Sequence, residues 1–178
     1  MMAPLAHAST STFHCTVGPL LGVNEIPPTP SPGSGSIDLI VDTSANDVQF
    51  TLAFFGLTSP STAAHIHEAP VGVAGPVKVP LPLDGALGLT SGSVTGTGTP
   101  IAGFNVADVV ATPTNFYVNV HSSAFPAGEI RGQVIQCTPI SASVPQFSGP
   151  ASLPLLAVVL IFPLIMALKK RTSIFYSR

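Results

Sequence analysis

The clearest signal along the chain is strict alternation of apolar and polar residues, the mark of strands half buried against a core. Over 48–55, Val48, Phe50, Leu52 and Phe54 fall on one face and Gln49, Thr51 and Ala53 on the other. Ile37, Leu39 and Val41 alternate in the same way. Ala45-Asn46-Asp47 between the two runs has turn chemistry, so together they predict a hairpin. Further strands are predicted over 63–68, 77–83, 90–99, 116–121 and 129–135. Pro80 and Pro82 cannot donate to a ladder and assign the second of these to an edge. The stretch 20–36 carries Pro27, Pro28, Pro30 and Pro32 and reads as an extended edge followed by a loop. Residues 9–14 read as a polar lead-in, and Asn105 as the N-cap of a short helix through residue 110. The expected class is all-β: a Greek-key sandwich or barrel of about seven to eight short strands with one short helix.

Composition supports a turn-rich β domain. Charged residues make up 8% of the 178, while Gly and Pro number 16 and 19. Charge also narrows function. All eight acids lie at or before Glu129, and the only bases before residue 150 are Lys78 and Arg131, a net of −6 there. A nucleic-acid binder needs a basic stripe to neutralise phosphates, so that class is excluded. There is no Gly-x-Ser-x-Gly elbow and no phosphate loop, so nothing points to a hydrolase.

The last part of the chain has a different character. Residues 151–168 hold no charge, and Lys169, Lys170 and Arg171 follow at once. Extended back to Phe147, the run is about long enough to cross a bilayer core of roughly 30 Å. The basic cluster reads as a cytoplasmic stop, which puts the β domain outside the cell. The expected organisation is therefore an export remnant or lead-in over 1–12, a β domain over 13–137, and a Ser/Pro linker over 138–150. A transmembrane anchor over 151–171 and a cytoplasmic tail over 172–178 complete it. Ala6-His7-Ala8 has the form of a signal-peptidase site before Ser9, although too few residues precede it to form an apolar segment. In an exported protein, Cys15 and Cys137, at the two ends of the β region, are favoured as a disulfide over two separate thiols.

Three of the five histidines fall on the polar faces of two predicted strands. His65 and His67 are two apart and share a face, with Ala64, Ile66 and Glu68 on the other. Tyr117, Asn119 and His121 lie opposite the apolar Phe116, Val118 and Val120. If those strands are neighbours, His65, His67 and His121 converge, and three neutral imidazoles suit copper or zinc with a coordination position left open. The structural reading of the same residues is hydrogen bonding to nearby loops. Glu129 and Arg131 share a strand face and are read first as a rim ion pair, with each other or with Glu68 and Asn119. Their sharper role, with Asn119, is orientation of the histidines from behind.

Three resemblances follow. The segments AHIHEAPVGVAGPV (64–77) and NFYVNVHSSAFPAGEIRGQV (115–134), with Asn24-Glu25-Ile26-Pro27-Pro28 near the start, resemble the CHRD domain. This module was first described in the chordin family and is found widely in microbial surface proteins. The resemblance runs from about Phe13 to Cys137 and attaches no activity to the motif positions; Glu68 stands where Gly is common. Val144-Pro145-Gln146-Phe147, the apolar run and the basic cluster resemble archaeal PEF-type sorting signals, with Gln146 in place of the usual Glu. A more distant likeness joins His65-Ile66-His67-Glu68 and Val120-His121 to the copper ligands of copper/zinc superoxide dismutases. Yet no histidine lies between His67 and His121 to bridge a second metal. The resulting expectation is a membrane-anchored, single-pass, extracellular module, non-catalytic, that binds a surface protein or glycan. A copper- or zinc-binding metalloprotein is the second reading.

Overall fold

The computed structural model describes residues 11–141. The leader-like segment, most of the linker, the apolar run and the tail lie outside the described residues. Among those described, no helix is long and apolar enough to cross a membrane. The chain forms β1 (Thr12–Val17), β2 (Leu20–Leu21), β3 (Ser34–Asp42), β4 (Asp47–Phe55), β5 (Ser61–Glu68), β6 (Val77–Leu81) and β7 (Gly92–Gly98). The helix α1 (Ala107–Ala111), β8 (Phe116–Ser122) and β9 (Ile130–Pro139) follow.

All nine strands belong to one antiparallel sheet, ordered β6-β5-β8-β9-β1-β3-β4-β7, with β2 bridging β3 and β9. The all-β class and the short helix match the sequence reading; the strand count exceeds it. The addition is mainly β1, where Phe13, Cys15 and Val17 alternate with Thr12, His14 and Thr16 and which pairs on both sides, with β3 and β9. Consequently β9 runs on to Pro139, beyond the expected start of the linker at 138.

The predicted hairpin is β3-β4, in register at Ile37↔Leu52 and Leu39↔Phe50. Asp42 Oδ1 accepts from the N–H groups of Ser44 and Ala45, and Asn46 takes a positive φ of 55° to close the turn. Val48, Phe50, Leu52 and Phe54 are all buried, as the alternation requires. The sheet curls until its edges meet. Ile101 N donates to Lys78 O at 2.9 Å, and Gly98 of β7 packs against Pro80 O of β6. One core fills the interior, with Leu39, Leu52, Phe54, Ile66, Val79, Val118, Val120 and Val134 at or near zero exposure. Burying such a side chain contributes roughly 1.5–3 kcal/mol.

Cys15 and Cys137 are direct register partners on β1 and β9 and form a disulfide. The expected bridge is thus present, and it clamps the first strand to the last.

Strand β8 sets up the site. It lies between β5 and β9, and every one of its residues is buried, on both faces. One face meets the core. The other, which the sequence marks as polar, is covered by loops.

Candidate functional site

Pairing of β5 with β8 places Ala63 opposite His121, His65 opposite Asn119 and His67 opposite Tyr117. Pairing of β8 with β9 adds Arg131 opposite Asn119 and Gln133 opposite Tyr117. Because side chains alternate along a strand, all of these share one face, away from the core. Two loops cover it: residues 69–76 after β5 and residues 123–129 between β8 and β9.

The three histidines do converge. The candidate ligand nitrogens of His65, His67 and His121 lie within 4.8 Å of one another. His65 Nδ1 and His121 Nε2 are 2.9 Å apart. The loops fix two of the three rings. His67 Nδ1–H donates to Gly75 O at 2.8 Å, and His121 Nδ1–H donates to Pro126 O at 3.0 Å. In the neutral ring a protonated Nδ1 leaves Nε2 as a lone pair, so both rings offer Nε2 as the acceptor nitrogen. A carbonyl behind an imidazole is the usual backing of a metal-bound histidine. His67 Nε2 is buried and has no hydrogen-bond partner.

Burial pushes the pKa of all three imidazoles below its ordinary value. For His65 burial comes first, then the neighbouring His121 and His67, and the value falls to about 4. Burial also dominates at His67, where the donated bond to Gly75 opposes it, and at His121, where the bond to Pro126 does. All three are neutral near pH 7, the form that binds metal.

A column of rings backs His67. Tyr117 stacks on it at 4.8 Å with 10° between planes, and the Arg131 guanidinium carbon sits 3.4 Å from the centre of the Tyr117 ring. Arg131 also donates to Val73 O at 2.9 Å and to Pro70 O at 3.2 Å, and Gly75 N donates to Tyr117 Oη at 3.2 Å. The 69–76 loop that orients His67 is therefore pinned by Arg131 and Tyr117. Gly75 has no room for a Cβ, which would strike Glu68 O.

The expected rim ion pair is not there. Glu129 and Arg131 are 0% and 2% exposed and do not meet. Glu129 instead accepts from Ser31 Oγ at 2.6 Å and from Thr58 N. Burial alone would raise its pKa, but hydrogen bonds from Ser122, Ser31 and Thr58 outweigh this and lower it. Glu129 therefore makes its contacts away from the histidines, whereas Arg131 lies over Tyr117, which stacks on His67, and Asn119 lies beside His67. Glu68 turns outward to Lys78 at 2.7 Å and neither tightens nor blocks the cluster.

Glu25 is the residue that alternation could not reveal, because it lies in the proline-rich stretch. It is 5% exposed, near the Arg131 charge and beside Asn119. Burial raises its pKa to about 7, against the lowering effects of Arg131 and of hydrogen bonds from Asn119 and the Ile26 backbone.

These shifts predict an acid profile. A histidine whose folded pKa is lowered gives full stability above its unfolded value near 6.5, and this is lost as pH falls towards the folded value. Glu25 acts in reverse: its contribution is full below 4.5 and is lost as pH rises through about 7. The His65 and Glu25 shifts are similar in size and opposite in effect, which leaves His67 and His121 to set the slope. The denaturation midpoint is expected to fall between pH 6.5 and pH 4; a midpoint that rises over this range contradicts the buried, neutral imidazoles.

No curated protein and no solved structure matches the chain. One family model does, over residues 17–134, a span that takes in both histidine strands, both covering loops and Glu25. The chain therefore belongs to the CHRD domain family.

Proposed function

We propose that this CHRD domain is a non-catalytic binding module, membrane-anchored on the cell surface, whose ligand is a copper or zinc ion held by His65, His67 and His121. The observation that carries the metal reading is the pair of backbone carbonyls, Gly75 O and Pro126 O, that engage Nδ1 of His67 and His121 and leave Nε2 of each ring as a lone pair, unpartnered at His67 and met by His65 Nδ1 at His121. A core histidine serving only to tie down a loop would not need two others within 4.8 Å. Nitrogens bound to one ion at about 2.0–2.1 Å lie at most about 4.2 Å apart, so a small closure completes the site. His65 joins by giving up its contact with His121 and moving its proton from Nδ1 to Nε2. An exogenous ligand takes the fourth position.

The anchor and extracellular placement are supported by the charge-free run 151–168 ending in Lys169-Lys170-Arg171. A dismutase-type redox cycle lacks support beyond the short His-Ile-His-Glu likeness, and the chain supplies no bridging histidine. A surface protein or glycan partner for the same module would meet the loops that cover the site.

Calorimetric titration of the metal-free full chain with Zn(II) and Cu(II) tests the metal reading. One ion per chain is expected. His67→Ala and His121→Ala should each weaken binding by more than the ~10–100-fold typical of residues behind the ligands. Equal affinity in wild type and both variants would sink it.

A further inference from the structure

Beside the three-histidine site, three buried atoms on neighbouring residues lack hydrogen-bond partners: His67 Nε2, Asn119 Oδ1 and Glu25 Oε1. Asn119 interacts with both of the others, and it is 1% exposed. Gly128 closes the group from the other side. A Cβ there would lie 2.6 Å from Asn119 Nδ2 and would also strike Glu25 Oε1. Leaving three buried polar atoms unpaired costs about 1–3 kcal/mol each, so the arrangement demands another assignment.

One assignment satisfies all three. His67 Nδ1–H is committed to Gly75 O, so Nε2 can only accept. With the Asn119 amide turned end for end, Nδ2 donates to His67 Nε2 and Oδ1 faces Glu25. Oδ1 is then paired only if Glu25 carries a proton and donates it. A metal ion at His67 Nε2 takes the lone pair to which Asn119 was donating. The amide is freed to turn back and donate to Glu25, which is most stable as a carboxylate in that state, facing the Arg131 guanidinium.

We propose that the site exchanges a metal ion for a proton: uptake of a divalent ion by His65, His67 and His121 releases the carboxyl proton of Glu25, with Asn119 as the relay. The proposal rests on the metal reading above. The Glu25 O–H bond breaks, its electron pair stays on the carboxylate, and the proton leaves to solvent. A cleft of about 230 Å³, lined by Glu25, Ile26, Phe125, Ala127 and Gly128, supplies the exit. The charged or titratable groups facing Glu25 are Arg131 from β9 and, through Asn119, His67 from β5. Glu129 is turned to Ser31 and Thr58, which both donate to its Oε1.

The test is Zn(II) titration of the full chain at pH 7 in buffers of different ionisation enthalpy, which counts protons released per ion. Glu25 is held protonated in the metal-free state while Asn119 donates to His67, so wild type should release more protons per ion than Glu25→Gln, by up to about one. Deprotonation of zinc-bound water contributes equally to both and cancels. Infrared difference spectra of wild type alone give a second readout: the carboxylic acid band should disappear when zinc is added. Zinc binding with equal proton release in both proteins, or with the acid band retained, overturns the exchange while leaving the metal site standing. No zinc binding overturns both.

Discussion

Removing the disulfide should cost this domain about 5 kcal/mol. The bridge between Cys15 and Cys137 spans 122 positions, and closing a loop of that length restricts the unfolded chain by roughly this amount in the chain-entropy model. The native contacts survive the change largely intact, because β1 and β9 remain paired through Phe13↔Pro139 and Thr16↔Gln136. Domains of this size are commonly stable by only about 5–15 kcal/mol, so the loss is a large share of the whole. Guanidinium denaturation of the Cys15→Ala, Cys137→Ala double variant beside the oxidised wild type measures it. Alanine avoids burying a new hydroxyl at position 15, which is fully enclosed. A loss under 1 kcal/mol would mean that pairing of the first and last strands needs no covalent clamp.

The second large effect is local. Gly128→Ala is expected to destabilise by about 3 kcal/mol or more and to abolish metal binding with it. Gly128 adopts φ +131°, a conformation costly for any residue with a Cβ. That Cβ would also drive into Glu25 and Asn119, both buried. Gly72→Ala is the control. Gly72 also has a positive φ, +81°, but its Cβ would meet nothing within 4 Å, so about 1 kcal/mol is expected. Thermal melts of the two variants separate backbone strain from collision. Equal losses would show that packing around Glu25 is looser than the contacts at Gly128 imply.

The sequence exposes this protein unevenly, for physical reasons. Alternation located β3, β4, β5 and β8 because the apolar residues of each fall on one face, and it put His65, His67 and His121 on the faces opposite the core. It could not show that β5 and β8 are neighbours, since strand order depends on contacts distant in sequence. Strand β1 reads as part of a lead-in because its alternation, Phe13, Cys15 and Val17 against Thr12, His14 and Thr16, is short and follows the polar Ser9-Thr10-Ser11; its place is fixed by two partner strands and a disulfide. The ion pair expected from Glu129 and Arg131 failed because the face they share is not a surface. Loops cover it, and each residue finds partners in a different loop: Ser31 and Thr58 for Glu129, Pro70 and Val73 for Arg131. Glu25 was visible only as part of the Asn-Glu-Ile-Pro-Pro motif. Its role follows from three-dimensional burial, which no local pattern reports.

The two carbonyls behind His67 and His121 make a further point about origin. They come from loops, not strands: Gly75 lies in a segment pinned by Arg131 and Tyr117, and Pro126 in the turn that leads to Gly128. The glycines and prolines that give the chain its composition are, at these positions, what lets backbone oxygens approach the rings. The imidazoles come from strands and their orientation from the loops above, an arrangement that would suit an ion held without large movement.

The central claim is that three imidazoles share one ion. X-ray absorption and pulsed electron paramagnetic resonance on the full chain loaded with one equivalent of Cu(II) address it most directly. The account predicts three imidazole nitrogens about 2 Å from copper, falling to two in His65→Ala. A first shell of oxygen with one imidazole or none, unchanged in His65→Ala, would contradict it.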